Sequence, residues 1–492
     1  MIRMSEYQVL KVRLLWESID KILHLKNSQV KGLSYIPNTN TLYLGKDNKL
    51  HLSFQAQFNI NLYNDFGAVL PEIELQNGDD TFIIPHGYAV FDDNLEILSD
   101  RVQDLNVKIN RIDYGSIKDN TNYYWRYVYP IKFSRWFLQI ESLNYVDEKG
   151  ACIGLQYQKI TIANNDMHVF LTKRKDICYM VIQSGSKIDS EEMYKRVFAI
   201  ITSIGLITGN IFGDYHFQIA SDDRDFDSIK SMIYGTLDDT KYCSYRIVNN
   251  RWVDVYDMLG QYEYQRYAQK VFERNGFDSN KSYYDNKPLE AKVFNGLANL
   301  CYNNNDIAIS ASMLLEGSQL NMIYQPPFYH VALEAITSAL MDDNQDKECS
   351  PLEKNEYKNI VRPVLLKALD NIKELSTDAK RIYSNRIRSN LNDRANKDKL
   401  ESVFEKYGYN LTEADKKAIE QRNYTFHGHL SNIKKEIVEQ RWDMFAVALR
   451  LHKLCSILLL KAAGYTGKIL NNEVIWGVKE ACDRKDSPYI NI

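Results

Sequence analysis

Hydrophobic and polar positions follow two different periods along the chain. In the first part, short alternating runs at 50–58, 81–84, 125–131, 154–162, 168–172 and 177–182 predict strands. Turn chemistry separates them: Asn77-Gly78, Glu148-Lys149-Gly150 and Asn164-Asn165-Asp166. Strands at this spacing predict a sandwich or a twisted antiparallel sheet. The first helix marked by the pattern runs from about Ser190 to Ile207. Asp189 and Glu192 stand at capping-box spacing, and Gly205 and Gly209 flank the far end. Its face of Val197, Ile200, Ile201 and Ile204 suits packing on a sheet.

From about Val253 the period becomes helical. The polar stretch Asn280–Asn286 reads as a linker, and beyond Pro288 almost only helices follow: 288–302, 305–320, 327–342, 352–375, 377–394, 397–407, 412–426 and 431–463. In the last of these, Trp442, Phe445, Leu449, Leu454 and Leu458 recur at helical spacing, and Gly464 offers a C-cap. The fold class expected is α+β. A β-rich N-terminal domain (1–235) with a packed helix near 190–207 leads into a helical connector and linker (236–287). An all-α domain (288–470) and a tail (471–492) complete the chain. Eight consecutive helices without a fixed-period repeat leave a solenoid scaffold as a weaker alternative.

Composition narrows the function. The 492 residues carry 61 Lys+Arg against 64 Asp+Glu, a formal net charge of −3, which excludes coating nucleic acid or an anionic membrane through bulk charge. Apolar residues at 45% exclude a disordered chain. The longest near-apolar run, Val197 to Ile207, is far short of the roughly 20 residues of a membrane span. Arg3, Glu6, Lys11 and Arg13 interrupt any signal-peptide apolar region. Seven well-separated Cys contain no CxxC pair, so neither a disulfide framework nor a zinc ribbon is expected. The expected setting is a reducing cytoplasm, with no membrane partner.

Most signature chemistry is missing. The sequence contains no HExxH, GxxxxGK[ST], GxGxxG or GxSxG. Asp223-Arg224-Asp225-Phe226-Asp227 has the alternating acids of a calcium loop. Ser228 replaces the required Gly and Tyr234 the required Glu, so a solvated acidic loop is expected. His86, His168 and His216 lack metal-ligand spacing and read as structural. No cofactor and no metal site are expected. On the helix 327–342, which carries His330, the residues Val331, Leu333, Ala335 and Ile336 look like core, and Glu334 interrupts them.

One stretch carries candidate chemistry: Arg422-Asn423-Tyr424-Thr425-Phe426-His427-Gly428-His429. The planar fork of Arg clamps phosphate oxygens and stays charged. His titrates near neutral pH and transfers protons. Together they suffice to cut RNA without metal: an activated 2′-OH attacks the adjacent phosphorus while Arg stabilises the developing charge. The spacing alone is weak, since roughly one Arg-x(4–6)-His match arises by chance in such a chain. At about 100° per residue, positions 422 and 427 lie some 140° apart on a regular helix. They converge only if the helix bends or ends there, or if a second subunit completes the site.

Arg422-Asn423-x-x-x-His427-Gly428 resembles the extended motif of the HEPN superfamily of helical ribonucleases, in particular its ApeA-like branch. Two further features match that branch. A helix with Ala332-Leu333-Glu334-Ala335-Ile336 precedes the motif by about 90 residues, and a long Leu-rich helix ending Lys461-Ala-Ala-Gly464-Tyr465 follows it. The resemblance covers about residues 288–470; the N-terminal region matches only loosely.

By resemblance, the chain is a metal-independent endoribonuclease with a HEPN-like bundle. It would act as a homodimer or higher homo-oligomer, in antiviral defence (abortive infection) or as a growth-arresting toxin, on cellular RNA such as tRNA. Arg422 would hold the scissile phosphate, His427 would act as acid and base, Asn423 would orient the site and Glu334 would position Arg422. His429 satisfies the looser spacing and competes with His427. The N-terminal domain would take a regulator or ligand. The alternative is a non-catalytic HEPN module that binds RNA, nucleotide or a protein partner.

Charge adds one more feature. Residues 379–399 hold seven basic and two acidic residues, a local +5 within a chain of −3. Alone, such a segment reads as a solvated helix face. Beside an RNase-like motif, Lys380, Arg381, Arg386, Arg388 and Arg394, interleaved with Tyr383 and several Asn, suit an RNA groove.

Overall fold

The computed structural model describes residues 12–23, 29–31, 41–45, 49–57, 70, 72–91, 102–118, 120–131, 145–146, 152–153, 158–174, 177–237, 241–242, 289–341, 352–389, 391, 396–421, 437–484, 486–487 and 489–492. The chain divides into two compact units, Met1–Asn250 with Asp285–Asn303, and Arg251–Tyr284 with Asn304–Ile492. The first is dominated by antiparallel sheet and the second by helices, a mixed α+β chain.

The first unit opens with a helix, α1 (Val12–Leu23), where the sequence reading begins with strands. Leu15, Trp16, Ile19 and Ile22 repeat at helical spacing and are buried. Seven strands follow: β1 (Gln29–Lys31), β2 (Thr41–Leu44), β3 (Leu50–Gln57), β4 (Ile73–Asn77), β5 (Asp80–Ile84), β6 (Ala89–Phe91) and β7 (Val102–Ile109). Next come β8 (Arg111–Gly115), β9 (Tyr124–Ile131), β10 (Tyr145–Val146), β11 (Cys152–Ile153), β12 (Gln158–Ile162), β13 (Asn165–Arg174) and β14 (Ile177–Ser184). The helix α2 (Ser190–Thr208) precedes β15 (Asn210–Ile211), β16 (Tyr215–Ser221), β17 (Ile229–Thr236) and β18 (Lys241–Tyr242), and α3 (Ala291–Asn303) ends the unit.

Twelve strands form the main sheet in the order β1-β4-β5-β8-β17-β16-β9-β14-β13-β10-β11, with β12 paired to β13. Every pairing is antiparallel except β10 with β13. A second sheet runs β2-β3-β7-β6. Alternate residues of both sheets (Leu50, Leu52 and Phe54; Phe82 and Ile84; Tyr215, Phe217 and Ile219) share one core with the buried face of α1. Arg174 of β13 pairs with Asp20 of α1.

One predicted turn closes a hairpin as expected, and a second hairpin turns at Ala163–Asn164, one residue before the predicted Asn164–Asp166, whose Asn165 and Asp166 already belong to β13. Asn77 pairs with Asp80 around Gly78 at φ +63°, and Ile162 pairs with Asn165 around Ala163 and Asn164, both at positive φ. The predicted turn Glu148–Gly150 lies outside the described residues. β16 and β17 are absent from the predicted strands. Their alternation is partly hidden because β16 is buried on both faces toward its end, Ile219, Ala220 and Ser221 being consecutive buried positions.

The expected caps of α2 are present. The Asp189 carboxylate accepts from the Glu192 N–H at 2.9 Å, and Gly209 adopts φ +75° at the C-cap. Arg196 donates to the Ile162 carbonyl at 2.9 Å, tying α2 to β12. α3 packs on α2 and β12. Its Tyr302 ring receives the Lys195 ammonium at 4.6 Å and the Arg196 guanidinium at 5.3 Å. This helix, placed by the sequence at the start of the helical domain, therefore belongs to the first unit. Its apolar face (Val293, Phe294, Leu297 and Cys301) is buried there, and the predicted linker 280–286 lies outside the described residues.

The acidic loop at 223–227 has a structural interior. Asp223 accepts from the N–H groups of Asp227 and Ser228 at 3.0 and 2.7 Å. Phe226 is buried, with its ring 3.9 Å from the Arg126 guanidinium. Burial drags the Arg126 pKa down to about 9, against the pull of Asp225 and Asp223. His168 is a buried and His216 a half-buried strand residue, and desolvation depresses both pKa values to about 4.

In the second unit, α4 (Asn305–Gly317) and α5 (Gln325–Leu340) pack together. A composite helix α6 (354–371) includes a π-helical turn at Tyr357–Val361. Pro363 lacks the N–H that residue 359 would accept, and the Arg362 N–H bonds back five residues to Tyr357. Then come α7 (Thr377–Ser389), α8 (Asn396–Lys406), α9 (Glu413–Glu420) and the 26-residue α10 (Ile437–Ala462). α10 packs against α5, burying Phe445, Leu449, Leu454 and Leu458. Residues 471–492, read from sequence as a tail, are part of the fold: β19 (Lys468–Leu470) pairs with β20 (Tyr489–Asn491), and α11 (Asn472–Ile475) and α12 (Lys479–Asp483) lie between them. The predicted connector 236–287 lies largely outside the described residues. Among the described residues, no helix is long and apolar enough to cross a membrane.

Candidate functional site

Arg422, Asn423, His427 and the competing His429 lie outside the described residues, as does Arg394. The helices that flank them in sequence are described. α9 starts with a complete capping box: the Thr412 hydroxyl accepts from the Asp415 N–H, and the Asp415 carboxylate accepts from the Thr412 N–H at 3.0 Å. It ends at the C-cap Gln421, the residue before Arg422. α10 begins at Ile437, after the motif.

Glu334 sits half-buried on α5, the helix that packs on α10. The apolar run around it splits by helical phase. Leu333 and Ile336 are buried, Ala335 is half-buried, and Val331 is 42% exposed, so Val331 is not the core residue expected from sequence. The described part of the basic segment lies mainly on the solvent-exposed helix α7. α7 buries none of its residues. Lys380 donates to the Asp370 carbonyl at 2.8 Å, Arg381 pairs with Asp378 at 3.2 Å, and the Arg388 Nε reaches the Ser384 hydroxyl at 3.2 Å. Arg386 and Arg388 are exposed, beside exposed Ile382 and Tyr383. Exposed pairs of this kind contribute little to stability, which leaves these cations available to a ligand.

Sequence reasoning misses a buried ionic network on the same two flanking helices. Lys453 of α10 contacts Asp415 of α9 at 2.9 Å and Glu473 of α11 at 3.0 Å. Arg450, one turn earlier, donates its Nε to Glu473 at 3.0 Å. All four side chains are at least nine-tenths buried. Burial opposes the charge on Lys453, yet Glu473 and Asp415 outweigh it and hold the ammonium protonated well above its ordinary range. Burial likewise raises the Glu473 pKa, but Lys453 and Arg450 bring it below the usual carboxylate range. One signal in the sequence points here: Arg450 and Lys453 interrupt the apolar positions of α10. Their acidic partners, 20 to 38 residues away in sequence, have no local signature.

Arg450, Lys453 and Glu473 of the network line a cleft of about 830 Å³. Ala414, Lys417, Ala418 and Gln421 line it from one face of α9, and Ala446, Val447 and Arg450 from one face of α10. Asn471, Arg484, Asp486 and Ile490 also line it. Among the described residues, no group of three or more His, Cys, Asp or Glu could hold a metal ion.

Behind the network, His452 is wholly buried on α10, edge-on to Tyr329 of α5 at 5.4 Å. Burial depresses its pKa to about 3, although a backbone contact at Leu314 favours the charged form. The folded value lies below the unfolded one near 6.5, so the unfolded chain takes up the proton first as pH falls. Stability is unaffected above pH 6.5 and declines below it by about 1.4 kcal/mol per pH unit, roughly 2 kcal/mol by pH 5. Urea unfolding at pH 7 and pH 5 should show that loss in the wild type and a correspondingly smaller one in His452→Phe. Equal losses in both would contradict this assignment.

Comparison with known protein families, with characterised proteins and with solved structures finds no match for this chain.

Proposed function

We propose that the chain is a metal-independent endoribonuclease of HEPN type, in which Arg422 and His427 form the cutting pair. The observation that carries this reading is the motif Arg422-Asn423-x-x-x-His427-Gly428, which lies in sequence between α9 and α10 of the helix-dominated unit. Two features of the fold support it. α9 ends at Glu420 with Gln421 as its C-cap, immediately before Arg422. Glu334 lies on the helix that packs against α10.

In this mechanism His427 takes the proton of a ribose 2′-OH, the oxygen attacks the neighbouring phosphorus, and the 5′-oxygen leaves with a proton returned by an acid. Arg422 holds the phosphate and stabilises its growing charge. Asn423 orients the pair and Glu334 positions Arg422. The exposed cations Lys380, Arg381, Arg386 and Arg388, with Arg394, draw in the strand. The active species is a homodimer, its substrate cellular RNA such as tRNA, and its role antiviral defence or toxin-like growth arrest. The β-rich unit takes the regulator.

The product ends test the chemistry. Purified protein incubated with total tRNA in EDTA should yield fragments with 2′,3′-cyclic phosphate and 5′-hydroxyl ends. Fragments with 5′-phosphate ends, or cutting that EDTA stops, would exclude this mechanism. RNA bound without cutting would favour a non-catalytic RNA-binding module.

A further inference from the structure

Helices α6 and α7 pack on each other and run antiparallel, the Tyr357 hydroxyl at the start of α6 donating to the Ile387 carbonyl near the end of α7. Among their described residues the two helices bury only Tyr357 and Leu369. Helices of this length owe their stability mostly to an apolar face packed on a neighbour. Here much of that face is open to solvent: Ile360, Val364, Ile382 and Tyr383 are 45% to 65% exposed, and Ala368 is exposed with them.

Helical phase places these side chains together. Tyr357, Leu365 and Leu369 form a more buried line on α6, and Lys380, Ser384 and Ile387 one on α7, where the two helices meet. At about 100° per residue, Val364 and Ala368 are rotated from the first line, and Ile382 and Tyr383 from the second, in the same sense. In an antiparallel pair that puts both stripes on the same side. Arg381 and Arg388 are rotated the opposite way, so two of the cations proposed to draw in RNA lie behind this face. Arg386 stands within it, one turn after Ile382.

The area suits a dimer. The open parts of the five side chains come to about 400 Å² of apolar surface, the size at which a patch marks an interaction site. Two copies, with the polar rim around it, would bury more than about 1,000 Å², enough for a specific interface. Chemistry selects the second copy. RNA or an acidic protein is drawn to the opposite, cationic side, and a membrane surface needs cations flanking the apolar stripe rather than behind it. A second copy turned end for end sets apolar face on apolar face. It also brings Arg386 of each copy beside Asp378, at the turn end of α7, in the other.

We propose that this face joins two copies of the chain, α6 and α7 of each forming a four-helix bundle. It rests on the ribonuclease reading only for its purpose, the homodimer, and is tested apart from cleavage. Sedimentation of the full chain should show a dimer. Val364→Glu, at an exposed position, should weaken the dimer by about 30-fold or more with helix content by circular dichroism unchanged. Arg386→Asp should weaken it as well, and Arg386→Asp combined with Asp378→Arg should restore it. A wild type that stays monomeric overturns the proposal, as does a dimer unaffected by Val364→Glu or a charge swap that restores nothing. Binding to vesicles of phosphatidylglycerol and phosphatidylcholine that Val364→Glu abolishes would assign the face to a membrane and overturn it too. A monomeric Val364→Glu that cuts tRNA at the wild-type rate leaves the face standing and removes the homodimer from the ribonuclease reading. A wild-type dimer that cuts no RNA removes that reading and leaves the face standing.

Discussion

Replacing Lys453 with Met should destabilise the C-terminal unit by about 3–5 kcal/mol, the usual result of removing one member of a buried ion pair. The Lys453 ammonium lies between Asp415 and Glu473 at 2.9 and 3.0 Å, and the two carboxylates are 0% and 5% exposed. Without Lys453, Glu473 keeps Arg450, but Asp415 keeps only hydrogen bonds from Thr412 and a long one from Tyr409 at 3.5 Å. Asp415 also completes the capping box of α9, so the damage should spread to the helix that leads into the motif. Removing the stranded charge as well, in Lys453→Met with Asp415→Asn, should recover part of the loss, and a double-mutant cycle would measure that coupling.

The sign of its pH dependence follows from both partners. Glu473 is depressed in the fold, so its contribution is present above the unfolded value near 4.5 and fades as pH falls through the folded value. Lys453 is raised, so its contribution is full below the unfolded value near 10.5 and fades only at higher pH. Between about pH 5 and 10 the Lys453→Met loss should therefore stay constant. A loss under about 1 kcal/mol by urea unfolding would show that the network contributes little to this unit.

Elements were legible from sequence where a local rule decides them. Asp189, Glu192 and Gly209 mark α2 because caps are set by a few neighbouring residues. Asn77-Gly78 marks its hairpin because a two-residue turn needs positive φ. The long apolar α10 was equally plain. Placement was harder to read. α3 looks like the first helix of a bundle, yet it packs on α2 and β12, because an amphipathic face does not state its partner. The Asp415–Lys453–Glu473–Arg450 network joins three elements, so no spacing rule exposes it. The candidate chemistry was legible as a motif, Arg422-Asn423-x-x-x-His427-Gly428, because its spacing is local to the chain.

That pair should show the largest functional effect. Loss of a positioned proton-transfer group typically costs 10²- to 10⁴-fold in rate, and loss of a group that stabilises developing charge about 10²- to 10³-fold. Arg422 and His427 act on one phosphate in one step, so their effects should not add. Single substitution of either should bring cleavage close to the level of the double variant. His429→Ala, two residues further along the chain, should leave the rate within a few-fold of wild type. The decisive measurement is the single-turnover cleavage rate of one tRNA in EDTA by wild type, Arg422→Ala and His427→Ala, with unfolding midpoints recorded for each. The account predicts a rate at least 10²-fold lower in both variants with the fold intact. Cleavage at the wild-type rate in either variant would contradict it.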